Sequence, residues 1–436
     1  MSDQGDRPPR SKQRPYSRAN HRARSHEDAH ADAPLPPENT PDLPLVPKGP
    51  APLLATDAEL AELIGHLRAA GRFAYDSEFI GELTYHPKLC VLQVASAERV
   101  ALVDPLAKVD LTPFWELLAD PAVEKIVHAG DQDIEPVVRH LGRSPANFFD
   151  TQLAAGFVGL PYPVSLSKLV GELTGAKLGK GLTFTHWDQR PLSAMQLRYA
   201  ADDVRYLPAV RAELGRRLEA NEHAAWAREE CEALCEPSQY LFDPATQYLR
   251  VKGAGSLQPR NLAVLRELTV WRDGAARQAD LPPRAFLKDE ILIDLSRNPA
   301  KSVDKLERVR GLPRPVEHAH GAAIVEATQR AWSAPAATLP PQRDTEQTPT
   351  ERFRSDALWA AAQAICAGNR VDPAIVTSRG EMSELYRALV AGEDVSTLRL
   401  MTGWRREALG EPLLKLFNGE AGVTLRWEEG SLRAEK

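Results

Sequence analysis

The chain has 436 residues, 43% of them hydrophobic and 26% charged, with a formal net charge of −6. Such a length predicts roughly two to four domains in place of one core, and the composition is that of ordinary globular protein. No apolar run reaches the length of a membrane span, and "MSDQGDRPPRSKQRPYSR" lacks the apolar heart of a secretory leader, so a cytoplasmic protein is expected.

In chain order, residues 1–51 read as a disordered tail, basic in its first half and Pro-rich in its second, with too little apolar surface to offset chain entropy. "TDAELAELIGHLRAAG" is a helix capped by Thr56, with Glu59 three residues on and Gly71 at its end. "RFAYDSEF", "LCVLQVAS" and "RVALVDP" are three short apolar strands with short connections, which predicts an antiparallel meander. "LTPFWELLAD" is helical, "EKIVHAG" a fourth strand, "DQDIEPVVRHLG" a helix and "ANFFD" a fifth strand. Helices follow at about 151–159, 165–174 and 193–218. The pattern over 52–220 is an α/β sandwich with a mixed sheet.

A connector at 221–255 holds Cys231 and Cys235, one helical turn apart. No second Cys or His pair stands at zinc-like spacing, so reduced thiols are expected. Beyond about 255 the strand pattern stops. Residues 256–335 read as a helical domain that includes "SVDKLERVRG" as a helix, 336–351 as a Pro-rich linker, and 352–430 as a second helical unit.

Three acidic clusters fall at the ends of these elements. Residues i and i+2 of a strand share a face, so Asp76 and Glu78 sit side by side among Phe73, Tyr75, Phe79 and Ile80. Two buried carboxylates stay ionised only with something positive between them: a basic side chain, a shared proton or a metal. Asp131 and Asp133 open a helix at the C-terminal edge of the sheet, where either is also suited to capping. Tyr199 and Asp203 lie one helical turn apart, with Asp202 beside them. Four hard oxygen ligands suit Mg²⁺ or Mn²⁺, and two such ions suit in-line phosphoryl displacement. A glycosidase needs two acids, and neither a phosphate loop nor a Gly-x-Ser-x-Gly elbow is present.

"YDSEF", "HAGDQD" and "YAADD" resemble the three exonuclease motifs of the DEDD superfamily, in the subgroup with Tyr in its third motif. "DSEFIGELTYHPKLCVLQVA", "FDTQLAAGFVGLPYPVSLSKLV" and "HWDQRPLSAMQLRYAADDVRYL" are similar to runs of the bacterial ribonuclease D family. "LAVLRELTVWRDGAARQADLPPRAFLKDEILIDLSRNPAKSVDKLERVRGL" resembles an HRDC domain, and "GWRREALGEPLLKLFNG" a second, divergent HRDC-like module. The resemblance implies a ribonuclease H-like α/β exonuclease domain with a mixed sheet, followed by all-α HRDC and HRDC-like domains. It implies that Asp76, Glu78, Asp133 and Asp203 bind two divalent metal ions and that Tyr199 orients the attacking water. The family's spacing selects Asp133 over Asp131 and Asp203 over Asp202.

The activity implied is 3′–5′ exoribonuclease, releasing 5′-mononucleotides from RNA 3′ ends, with tRNA precursors as partners and a monomer as the working unit. Candidate substrate contacts are Phe79, by stacking on the terminal base, together with Trp187, Arg190 and Lys180. Ser77, where Thr is commoner in the family, is expected to face away from the acids with no part in the site. The competing readings are the same chemistry on DNA, and a non-catalytic RNA-binding protein on a nuclease fold; the intact acid set speaks against the latter.

Overall fold

The computed structural model describes residues 42–179, 185–340, 348–428 and 431–435. The first half is built on a six-stranded sheet: β1 (Leu53–Leu54), β2 (Arg72–Ile80), β3 (Lys88–Ala95), β4 (Val100–Val103), β5 (Glu124–Val127) and β6 (Phe148–Asp150), in the spatial order β1-β4-β3-β2-β5-β6. Short connections join β2, β3 and β4, and these strands pair antiparallel. Helical crossovers lead to β5 and β6, which pair parallel. The two-residue β1 lies parallel to β4. It is too short to leave a period in the sequence.

Helices cover both faces. One face carries α1 (Asp57–Ala70), α2 (Thr112–Leu118) and α3 (Asp131–Leu141), whose Leu63, Phe114 and Ile134 bury against Phe73, Tyr75, Leu92 and Val94. A fully buried Leu of this kind contributes about 1.5–3 kcal/mol. Thr56 and Glu59 close the expected capping box, and Gly71 ends α1 at φ 71°. After α4 (Thr151–Gly156) and α5 (Leu166–Thr174) come α6 (Ala194–Arg205) and α7 (Leu207–Ala220). On the opposite face Ala201, Val204 and Leu207 pack on Ala74, Ala95 and Ile126. The small Ala74 and Ala95 let α6 come close to the strands that carry the acids.

Tyr206 interrupts the helix expected over 193–218, and α8 (Ala224–Ala233) follows. Cys231 is buried there, its sulfur 3.4 Å from the Asp150 N–H. Within residues 42–51, expected in the disordered tail, Leu43, Val46 and Pro47 lie against the fold. Val46 joins the buried cluster of α4, α5 and α7, and the carbonyls of Pro47 and Gly49 accept hydrogen bonds from the buried Arg205. Single apolar residues among prolines carry no periodicity, so this packing leaves no pattern to read.

The helical region begins with α9 (Pro259–Gln278) and forms its own core, in which Leu265 and Leu268 meet Leu292, Leu306 and Ile324. "SVDKLERVRG" is not an α-helix: Val303–Arg308 form a 3-10 helix, hemmed between Pro299 and Gly311 in a span too short for a stable α nucleus. This unit meets the sheet through the β2–β3 loop. There Tyr85 donates to Asp273 at 2.6 Å and accepts from Arg277 at 2.9 Å, and its backbone N–H donates to Asp280 at 3.0 Å. The C-terminal helices Pro349–Gly368 and Arg379–Ala391 share one core with α4 and α7, where Ile365, Leu385 and Trp404 meet Phe157 and Val210. The strand pattern does not end at 255. β7 (Thr424–Glu428) and β8 (Ser431–Glu435) form an antiparallel pair, and Leu425 and Trp427 alternate with polar residues at the period of a strand.

Candidate active site

The site begins where β2 outruns its parallel neighbour. Ala74 pairs with Ile126, and β5 stops at Val127, so β2 has no partner on that side from about Tyr75 onward. The chain turns away there through His128, Ala129 and Gly130, and α3 starts beside the uncovered edge. Ala129 holds a left-handed φ of 57°. At Gly130 a Cβ would lie 2.6 Å from the Val127 Cβ. The Asp150 carboxylate accepts from the N–H groups of Ala129 (3.2 Å) and Gly130 (3.1 Å). His128 is tied to the Thr151 hydroxyl at 2.9 Å and the Val164 carbonyl at 3.0 Å. Gly130→Ala is therefore expected to displace the first turn of α3. Overpacking of this kind costs about 1–3 kcal/mol, read as a lower melting temperature together with reduced turnover; an unchanged melting temperature would contradict the geometry.

That turn sets Asp133 against β2. Asp133 is 7% exposed. Its carbonyl accepts from the buried Tyr75 hydroxyl at 3.1 Å, and its carboxylate accepts from the Ser77 hydroxyl. Asp131, two residues earlier, is exposed. Ser77 does alternate away from Asp76 and Glu78, as strand period requires, but the expectation that it stands apart from the site is corrected. Asp133 approaches along the strand edge, where side chains of either face are within reach.

The third cluster lies on α6, which starts from a Ser193–Gln196 capping box. Tyr199 and Asp203 face the acids, and the Tyr199 hydroxyl hydrogen-bonds Asp203. Asp202 is turned to basic partners, 3.8 Å from Arg198 and 3.3 Å from Arg205. The neighbouring pair "DD" thus divides, one acid held by arginines and the other left with acids.

The charges of the four acids act on one another. Burial first, then Asp133, Asp203 and Glu78, push Asp76 well above the usual carboxylate range. Glu78 is pushed up to about 8 by burial and by Asp203 and Asp133. Asp133 is raised to about 7 by burial, against the Ser77 hydrogen bond. Asp203 is raised to about 7 by burial, against its bond from Tyr199. Among the described residues, no basic side chain is a leading influence on any of the four. Burial and the neighbouring acids also hold the Tyr199 hydroxyl protonated. Hard carboxylate oxygens with no cation among them fit divalent metal ions. Among the described residues no three ligands close into a ready-made cage; Asp133 is turned to Ser77 and Asp203 to Tyr199.

The expected substrate contacts fare differently. Phe79 is half-buried beyond a register break that follows Glu78, and it joins none of the buried clusters among the described residues. Trp187 is 4% exposed, packed on Val91, Leu102 and Ala200, with its ring 6.1 Å from that of Tyr199. It backs the Tyr199 ring from within the core. Arg190 is engaged inside the fold: two bonds to Asp104 (2.7 and 2.6 Å) and others to the carbonyls of Cys90, Trp187 and Gln189 use its guanidinium N–H groups. Its donors are thus engaged within the fold, a structural role. Lys180 lies outside the described residues. Asp150 escaped the sequence reading, although its place between a strand and a helix marks it as a cap.

Residues 53–219 match the family model of a 3′–5′ exonuclease, and residues 261–328 that of the HRDC domain. Ribonuclease D of Gluconacetobacter diazotrophicus is 37% identical over 374 residues, which cover 85% of this chain and 94% of that protein. Ribonuclease D of Granulibacter bethesdensis is 37% identical over 377 residues, with the same coverage of 85% and 94%. The crystal structure of Escherichia coli RNase D, described as an exoribonuclease involved in structured RNA processing, matches with a TM-score of 0.72 and 30% identity over 85% of this chain and 99% of that one. With both domains matched in this order, and relatives of one name matched along nearly their whole length, the chain belongs to the ribonuclease D family.

Proposed function

We propose that the chain shortens RNA from its 3′ end and releases nucleoside 5′-monophosphates, with Asp76, Glu78, Asp133 and Asp203 holding two divalent ions, Mg²⁺ or Mn²⁺. Its family makes it a 3′–5′ exoribonuclease; the residue roles are this proposal. The observation that carries them is four mutually repelling carboxylates with no basic partner among the described residues. When bound, the ions supply Lewis-acid activation of water and neutralise charge on the phosphodiester.

The chain's own groups do the rest. The four carboxylates provide the oxygens that bind and the charge that favours a cation. Tyr199 stays protonated and donates to Asp203, so its oxygen lone pairs are free to accept from a water molecule. A water held by its own hydrogen turns an oxygen lone pair toward the phosphorus. Phe79, outside the buried clusters beside the acids, is suited to stack on the terminal base. Tyr199→Phe is expected to retain Mn²⁺ binding and to lose about 10²-fold in turnover, the usual scale for a positioned proton-handling group. Calorimetric titration with single-turnover kinetics checks both; an unchanged rate removes Tyr199 from the mechanism.

The RNA proposed is structured and carries a 3′ extension, with precursor tRNA as the type, in line with the family and with the role described for the Escherichia coli enzyme. A cytoplasmic monomer completes the reading. Among the described residues no helix is long and apolar enough to cross a membrane. Incubating the protein with a 3′-extended precursor tRNA and with single-stranded DNA of equal length tests the polymer. Trimming of the RNA alone supports the proposal, and preferential loss of DNA contradicts it.

A further inference from the structure

Gln93 on β3 stands directly opposite Asp76 on β2 and Leu102 on β4. Opposed residues of an antiparallel pair share a face, with Cβ atoms roughly 5 Å apart. Gln93 therefore points to the α6 side, as Asp76 and Glu78 do. It is 0% exposed, and neither its Nε2 nor its Oε1 has a hydrogen-bond partner among the described residues. A buried amide with nothing to bond is a cost to the fold that an apolar side chain of the same shape would remove.

Its neighbours in the register are Val91 and Ala95 along the strand, Leu102 and Asp76 across, and Ala74, Val100 and Glu78 on the diagonals. Asp104, two residues beyond Leu102, shares that face, but its carboxylate is taken by Arg190; the other polar neighbours are Asp76 and Glu78, and Asp76 is the one directly opposite. Val91 and Leu102 pack with Ala200 of α6, Trp187 and Tyr199, and neither the Trp187 indole N–H nor the Tyr199 hydroxyl hydrogen-bonds Gln93.

We propose that Gln93 is a positioning residue for Asp76, its amide N–H donating to the ionised Asp76 carboxylate and fixing how that carboxylate presents itself to divalent ions. The inference rests on the metal reading above. A carboxylate that binds metal needs a set orientation and a partner for its outer lone pairs, and such partners govern affinity. An amide supplies the donor without adding charge. An arginine or lysine in its place would repel the ions, and an apolar residue would leave Asp76 free to rotate.

The test compares wild type with Gln93→Met, close in shape and without an amide, using Mn²⁺ alone in calorimetric titration, with melting of the metal-free protein and kinetics on RNA alongside. The expected result is a metal-free melting temperature equal to or above wild type, a Mn²⁺ affinity weaker by roughly 10-fold or more, and a fall in kcat with little change in KM. Wild-type Mn²⁺ affinity and kcat in a Met variant of raised stability would overturn the inference and leave the metal reading standing. Wild-type protein that binds no Mn²⁺ would overturn both. Should the variant melt far below wild type, a crystal structure of the wild type with Mn²⁺ decides. A Gln93 amide within hydrogen-bond distance of Asp76 supports the assignment, and an amide still without a partner, or bonded elsewhere, overturns it.

Discussion

Asp133→Asn is expected to lower turnover on 3′-labelled RNA by about 10³-fold, the scale on which removal of one preorganised electrostatic group acts, while the metal-free protein melts no lower than wild type. The two halves of this result have one cause. Asp133 is buried, its carbonyl and carboxylate take bonds from Tyr75 and Ser77, and burial pushes its carboxyl up to about 7. Asn keeps the shape and the acceptor for Ser77. It removes a negative charge from a group of four that has no basic partner among the described residues, so the fold is relieved and the cation site is weakened. Loss of turnover with loss of stability would mean that Asp133 holds the fold instead. Wild-type turnover would remove it from the site. The neighbouring Asp131→Asn serves as the control, since Asp131 is exposed, and should leave turnover unchanged.

Between about pH 5 and pH 8, the stability of metal-free wild type is expected to fall relative to Asp133→Asn, and added Mg²⁺ or Mn²⁺ to cancel the fall. Glu78 is raised to about 8, Asp133 and Asp203 to about 7, and Asp76 well above its ordinary value. The folded protein therefore keeps protons that an unfolded chain releases near the ordinary carboxylate pKa of about 4. Where the folded state binds more protons, stability decreases as pH rises, so the loss accumulates from about pH 4 to pH 8 and then levels. Burial pushes His86, His128 and His140 down. Their contribution has the opposite sign, since it is lost as pH falls below about 6.5. Comparing the wild type with Asp133→Asn removes that common background. Each pKa unit corresponds to about 1.4 kcal/mol, and each kcal/mol to about 2–4 °C in a protein of a few hundred residues. The melting-temperature gap should therefore widen by several degrees across the window. Saturating Mg²⁺ should raise the wild-type melting temperature more at pH 8 than at pH 6, where protons must first be displaced. A gap that is flat in pH, or narrows, contradicts the electrostatic picture of the empty site.

Much of this arrangement was legible because it rests on short-range periods. The two-residue period of β2 places Asp76 beside Glu78, and the helical turn of α6 places Tyr199 by Asp203. The choice between adjacent acids was not legible from physics alone. It rests on how the chain packs: Arg205, one helical turn from Asp202, is held in place by the distant carbonyls of Pro47 and Gly49, and the Tyr75 hydroxyl bonds the carbonyl of Asp133. Ser77 was misread for the same reason. Strand alternation gives its face correctly, but only the pairing of β5 with β2 shows that β5 ends and leaves an edge for Asp133. Arg190 finds Asp104 across 86 positions of sequence, a distance no local pattern spans. Likewise Leu43 and Val46 look like debris of a Pro-rich tail until α4, α5 and α7 are seen to have a groove for them.

The most direct test of the central claim follows the fate of a single RNA strand. Labelled at its 3′ end and incubated with the protein in Mg²⁺ or Mn²⁺, it should release labelled nucleoside 5′-monophosphate first and then shorten one residue at a time. Chelation of the metal, or Asp133→Asn, should stop both. Internal cuts, release of 3′-monophosphates, or full activity in excess chelator would contradict the account.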